Sequence, residues 1–176
     1  MKPFLIAEIS SNHNGSLARA LDLIAMCGEI GFDAVKFQLF KIEKLFSKEI
    51  LINSKTHRDR RKWELPENFI PELSTKVRDL GMQFGCTPFY LEAIEKLDPY
   101  VDFYKVASYE ILWHDLIKKC SDTGKKLMFS TGMANVNEIR NALSIITGSK
   151  SNEVTVMKCT STVSYTHLTL PTTPYV

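Results

Sequence analysis

Six short apolar runs, separated by stretches with helical punctuation, set the strongest limit on how this chain can fold. In order they read FLIAEIS, DAVKFQL, MQFGCT, DFYKVAS, KLMFST and EVTVMKC, with starts near residues 4, 33, 82, 102, 126 and 153. Strands that alternate with helices return to the same end before each new strand begins, so the pattern predicts a parallel sheet covered by helices. Such strands are normally apolar on both faces. Lys105, inside DFYKVAS, therefore requires a reason.

The intervening stretches carry capping residues. Ser16 is placed to cap a helix through Leu17, Leu21, Ile24 and Ile30, and Asn135 with Glu138 has capping-box spacing. Thr87-Pro88 is expected to supply a cap and a first-turn proline. Gly31, Gly81 and Gly124 stand where helices should stop. One interval, KIEKLFSKEILINSKTHRDRRKWELPE, is too long for an ordinary connection and is predicted to be an insertion with a helix of its own. In a β/α barrel it would lie over the strand C-termini, where substrates bind. Its HRDRRK cluster is expected to be a solvated charged face rather than a grip on phosphate or nucleic acid.

Six strands cannot close an eight-stranded barrel, which leaves an open doubly wound sheet or an incomplete TIM-type (β/α) barrel. After CTST the chain ends in VSYTHLTLPTTPYV, rich in Thr and Pro and without a helix to cover the sixth strand. This ending is expected to be a non-native tail of the kind that translated adapter sequence gives, with a genuine disordered tail as the alternative.

With 22 Lys and Arg against 20 Asp and Glu in 176 residues, the chain has no whole-molecule field to attract nucleic acid or an anionic membrane. Anion selectivity must then be local. Cys27, Cys86, Cys120 and Cys159 are widely spaced without a C-x-x-C pair, which argues against a disulfide framework or zinc cluster and fits a reducing cytoplasm. The opening MKPFLIAEIS is interrupted by Glu8, and no segment approaches about 18 apolar residues, so neither export nor membrane insertion is expected.

Polar residues recur at successive strand ends: Glu8, Lys36 and Gln38, Thr87, Lys105 and Ser108, and Ser130. Lys36 and Gln38 lie two apart and so share a face of their strand. Two lysines converging beside a carboxylate suit a small, strongly anionic ligand, with helix N-termini after Thr87 and Ser130 expected to add donors. The competing readings are ion pairs of Lys36 and Lys105 with Glu8 and Glu110, or a Schiff-base lysine. SNHNGS after the first strand reads as a polar turn, in which His13 is a weak candidate for a metal ligand. Trp63 and Trp113 are expected to be packing residues, and Lys158 either a third basic strand residue or a solvent-facing one.

In this order, AEISSNHNGS, DAVKFQLF, CTPFYLEAIEKL, YKVASYEI, STGMANVNEIRNAL and MKCTST resemble the sialic acid synthase family over about residues 3–162. The resemblance implies a β/α barrel with about six of eight parallel strands in residues 1–162, a non-native tail at 163–176, and absence of the last two units and of a C-terminal antifreeze-like domain. It implies condensation of phosphoenolpyruvate with an N-acylated amino sugar, in a cytoplasmic enzyme that is a homodimer when full length. By matching motif, Lys36, Thr87, Lys105 and Ser108 would hold phosphoenolpyruvate, and Ser161 would contact it. Glu8 would meet the sugar, while Gln38 and Glu110 would line the mouth, Glu110 assisting proton transfer or orienting water. The divalent metal of the family, manganese or magnesium, would have its ligands beyond this chain. Val163 and Ser164 stand where the family usually has an aromatic residue and proline, and Lys158 where histidine is common. The chain alone is thus expected to be an inactive or unstable fragment. The alternatives are a Schiff-base aldolase or lyase and a non-catalytic sugar-phosphate-binding fragment, and the insertion at 41–65 is expected to decide the sugar.

Overall fold

The computed structural model describes residues 2–151 and 153–159. Six strands, β1 (Ile6–Glu8), β2 (Ala34–Leu39), β3 (Gln83–Pro88), β4 (Phe103–Val106), β5 (Lys126–Ser130) and β6 (Val154–Met157), form one sheet in sequential order. Every neighbouring pair is parallel. Residues from β1, β3, β5 and β6 line one cavity of about 360 Å³ on the inner face, so the sheet curls into a half-barrel. The doubly wound alternative is excluded by this order, which never reverses.

The long helices are α1 (Leu17–Ile30), α5 (Ile70–Asp79), α6 (Leu91–Leu97), α7 (His114–Asp122) and α8 (Val136–Thr147); between β2 and β3 lie the short α2 (Ile42–Leu45), α3 (Lys48–Asn53) and α4 (Lys55–Arg58). The insertion thus contains three short helices, followed by a 3₁₀ turn at Asp59–Trp63, rather than one. Ser16 accepts from the Arg19 N–H, and Asn135 and Glu138 form the reciprocal capping box. Gly31 caps α1 at φ 91°, a conformation in which a Cβ would be strained.

Thr87-Pro88 is not a helix cap. Both residues continue β3 alongside Gln38 and Leu39, and α6 begins only after Tyr90, which makes no side-chain cap. Likewise α8 starts well beyond Ser130, so neither helix N-terminus opens at its strand end as the sequence predicts. Aspartates at the opposite end of the sheet brace neighbouring chain segments: Asp33 accepts from the Leu5 N–H at 2.8 Å and Asp102 from the Phe84 N–H at 2.8 Å.

The two faces of the sheet differ. Val35, Phe37, Leu39, Phe84, Cys86, Tyr104, Val106, Leu127 and Phe129 face outward and pack with Ile24, Leu73, Ile94, Leu116 and Ile146 of the covering helices. The inner face carries the row Glu8, Lys36, Gly85, Phe103 and Lys126, set by the register. The ring of Phe103 is fully buried over Gly85, and a Cβ on that glycine would lie 2.1 Å from the ring. Gly85→Ala is expected to lower stability by about 1–3 kcal/mol, the usual range for overpacking a core. The reading is a lower urea midpoint with an unchanged denaturant slope; an unchanged midpoint would mean that Phe103 moves aside freely.

Candidate active site

Lys36 is buried on the inner face with its ammonium against the Glu8 carboxylate and donating to the Thr87 hydroxyl at 3.0 Å. Three adjacent strands therefore converge on one charge. Glu8 stands directly beside Lys36 in the register, while Thr87 lies one inward position further up β3, beside Gln38. The sequence-level alternative of an ion pair is thus realised for Lys36.

Lys105 behaves differently. Among the described residues it makes no ion pair, and burial followed by repulsion from Lys36 lowers its pKa, against weaker support from Glu8, Cys159 and Glu110. Glu110, in the short turn Ser108–Glu110 after β4, has its carboxyl pKa raised, chiefly by burial, with a backbone hydrogen bond and Lys105 opposing the shift. Its Oε2 is buried without a hydrogen-bond partner among the described residues. Ser108 accepts from the Gly132 N–H at 3.2 Å, which leaves its own hydroxyl hydrogen available to a ligand. Ser130, among the strand-end polar residues, is buried at the end of β5 with a hydroxyl that has no partner among the described residues.

Beside this cluster lies a cavity of about 460 Å³. Its polar lining comes from Ser10, Ser11, Asn12 and Asn14 of the first loop and from Gln38, and Phe40, Leu45, Phe89, Arg60 and Trp63 complete it. The insertion therefore does sit over the strand C-termini. Ser11 donates to the Trp63 carbonyl at 3.0 Å, tying the loop to the insertion. Glu64 closes the insertion on itself by accepting from the Ile42 N–H at 2.8 Å and pairing with Lys41 at 3.2 Å.

Two expectations need correction here. Trp63 is not a packing residue: it is 40% exposed and walls the cavity, whereas Trp113 does pack against the core. Nor is HRDRRK uniformly solvated, because Arg60 turns onto the rings of Phe46 and Trp63 and lines the same cavity. Composition cannot separate a stacked arginine from a solvated one. Lys158 is exposed, the solvent-facing option. His13 is fully buried, its Nδ1 accepting from the Gly15 N–H at 2.9 Å, and burial lowers its pKa. Ser161 lies outside the described residues. Among the described residues no group of three or more His, Cys, Asp or Glu is placed to hold a metal. No helix among them is long and apolar enough to cross a membrane.

A parallel half-barrel with lysines and hydroxyls at its C-terminal mouth is an incomplete α/β barrel. The NeuB family profile matches residues 23–170, and the chain belongs to that family. It is 34% identical to the N,N'-diacetyllegionaminic acid synthase of Campylobacter jejuni, covering 91% of this chain and 52% of that one. It is 32% identical to the pseudaminic acid synthase of Helicobacter pylori, covering 90% and 50%. The N-acetylneuraminic acid synthetase of Leptospira borgpetersenii superposes with a TM-score of 0.83 at 28% identity, over 90% of this chain and 54% of that one. The chain spans about half the length of these relatives.

The raised pKa of Glu110 has a consequence for stability. In the window between the ordinary value of 4.5 and the folded-state value, the folded chain holds a proton that the unfolded chain releases, so stability falls as pH rises through it. Glu110→Gln is expected to raise the urea midpoint at neutral pH, with the gain shrinking as the pH approaches 4.5. A variant no more stable than the parent at neutral pH would show that the ionised carboxylate is fully compensated.

Proposed function

We propose that this chain is the phosphoenolpyruvate-binding part of a synthase that joins phosphoenolpyruvate to an N-acylated amino sugar, giving a sialic acid or a related nonulosonic acid and releasing phosphate. The observation that carries the reading is the convergence of Lys36, Thr87 and Lys105 at one mouth of the half-barrel, with Ser108 in the turn that follows β4. Membership of the NeuB family supports it. Relatives named as synthases of legionaminic and pseudaminic acids support the reaction class.

In this reading Lys36 is held by Glu8 and Thr87 with its charge directed to the mouth, and Lys105, which makes no ion pair among the described residues, supplies the second cation. Together with the Ser108 and Ser130 hydroxyls they bind the phosphate and carboxylate of phosphoenolpyruvate. Carbon 3 of phosphoenolpyruvate bonds to the sugar aldehyde carbon, water adds at carbon 2, and the C–O bond to phosphate breaks. Glu110, whose carboxyl pKa is raised by burial, is the group suited to move a proton during water addition. Glu8 and Gln38 face the sugar. A divalent cation, manganese or magnesium, belongs to the reaction proposed for the longer protein, but the described residues do not fit one: the Glu8 carboxylate is engaged by Lys36, and no ligand cluster accompanies it. The longer protein is read as a cytoplasmic homodimer.

A second reading rests on Lys105 alone. A lysine without an ion pair among the described residues and with a lowered pKa is a better amine nucleophile, as a Schiff-base aldolase needs. Borohydride trapping of a carbonyl substrate on Lys105 would decide for it. Calorimetric titration of phosphoenolpyruvate distinguishes the main reading: Lys105→Ala is expected to weaken binding by about ten- to a hundredfold, the loss of charge-assisted hydrogen bonds. Unchanged affinity would remove the assigned role. Binding without turnover in the longer protein would leave a sugar-phosphate-binding module.

A further inference from the structure

The cavity beside the lysine cluster holds a charge that the reaction just proposed does not use. Among its lining residues Arg60 is the charged one; the others are hydroxyls, amides, aromatic rings and Leu45, with no carboxylate. The surrounding basic residues of the insertion are largely engaged. Lys41 pairs with Glu64, Lys44 with Glu92, Lys55 with Asp59 and Arg61 with Glu43, while Arg58 donates to the carbonyls of Leu51 and Ile52. Lys62 lies over Trp63 at 5.7 Å.

Arg60 has no ion pair or hydrogen bond among the described residues, and its Nε is buried without a partner. It is held instead by two aromatic faces, 5.5 Å from the centre of Phe46 and 5.9 Å from that of Trp63. Cation–π contact orients a guanidinium but uses none of its five N–H donors. A planar fork with free donors, partly withdrawn from water, matches the oxygens of phosphate or carboxylate. The cavity joins the lysine cluster through Gln38 and Ser10, each two residues beyond Lys36 and Glu8. At about 460 Å³ it has room for a substituted sugar, within the roughly 300–1,000 Å³ of small-molecule sites.

We propose that the acceptor sugar carries an anionic substituent, a phosphate ester or a carboxylate, and that Arg60 is the residue that selects it. The inference rests on the synthase reading for the identity of the sugar, while the anion preference stands on Arg60 itself. The amides and hydroxyls of Asn12, Asn14 and Gln38 meet the hydroxyls and the acylamido group, and Trp63 offers a ring to the sugar face.

The test titrates the 176-residue chain with N-acetylmannosamine, its 6-phosphate, N-acetylmannosaminuronic acid and inorganic phosphate, read by calorimetry and by tryptophan fluorescence in a Trp113→Phe background that leaves Trp63 as reporter. At least one anionic sugar is expected to bind about tenfold or more tighter than the neutral one. Arg60→Gln is expected to bring the sugars to parity, and Arg60→Lys, which keeps charge but not the fork, to restore part of the preference. Which anionic sugar gains identifies the substituent. Equal affinity for all three sugars, a preference that survives Arg60→Gln, or inorganic phosphate binding as tightly as the ester would each overturn the proposal. Phosphoenolpyruvate titrated in parallel separates the two claims: binding sensitive to Lys36→Met with no anion preference removes Arg60 selection alone, and anion preference without phosphoenolpyruvate binding removes the synthase reading alone.

Discussion

A lysine ammonium carried into the concave face of a sheet costs several kcal/mol unless charge and hydrogen bonds accompany it. Lys36 has both, from Glu8 on one side and Thr87 on the other, and this meeting joins β1, β2 and β3 at the end where ligands would enter. The pair also sets the electrostatics of the mouth. Glu8 pairs with Lys36, so the surplus positive charge belongs to Lys105, and of the two carboxylates that support it Glu8 is already engaged while the pKa of Glu110 is raised by burial. An anion arriving there would supply the compensation that the protein withholds.

The insertion is attached to this mouth by few but well-placed contacts. Glu64 fastens one end of it to the other, and the Ser11 hydroxyl fixes the backbone of Trp63 to the first loop. That loop contains Ser10 and Asn14 at φ 50° each, left-handed conformations that persist only where surrounding structure holds them. Arg19 donates to the Asn12 carbonyl and the buried His13 accepts from Gly15, which together hold the turn. The insertion wall of the cavity is therefore tied through Ser11 to the first loop, which lines the same cavity.

Local signals were the ones that sequence conveyed well. The six strands, the Ser16 cap, the Asn135 and Glu138 capping box and the positive-φ glycines all depend on residues within a few positions of one another. Thr87-Pro88 misled because the same dipeptide serves a helix cap or a strand end, and the choice is made by Lys36, distant in sequence, which takes the hydroxyl. Arg60 and Trp63 were unreadable for a related reason. A charged run has one composition whether it is solvated or folded back on aromatic rings, and the decision lies with Phe46 and with Ser11 on another loop. The strand lysines, by contrast, were legible because charge inside an apolar strand is anomalous wherever it occurs.

Gly85 links the fold to the chemistry more directly than any charged group does. It stands one inward position below Thr87, as Phe103 stands one below Lys105, and its missing side chain lets the Phe103 ring lie flat across the inner face. The ring is fully buried, level with Lys36 and one inward position below Lys105, next to the cavity lined by Ile6, Gln83 and Met128. A buried ring beside the ammonium groups lowers the local dielectric and strengthens their interactions with an anion. Burial is the leading cause of both the lowered pKa of Lys105 and the raised pKa of Glu110. A larger residue at 85 would displace the ring from beside Lys36 and Lys105 and weaken anion binding even where the fold survived.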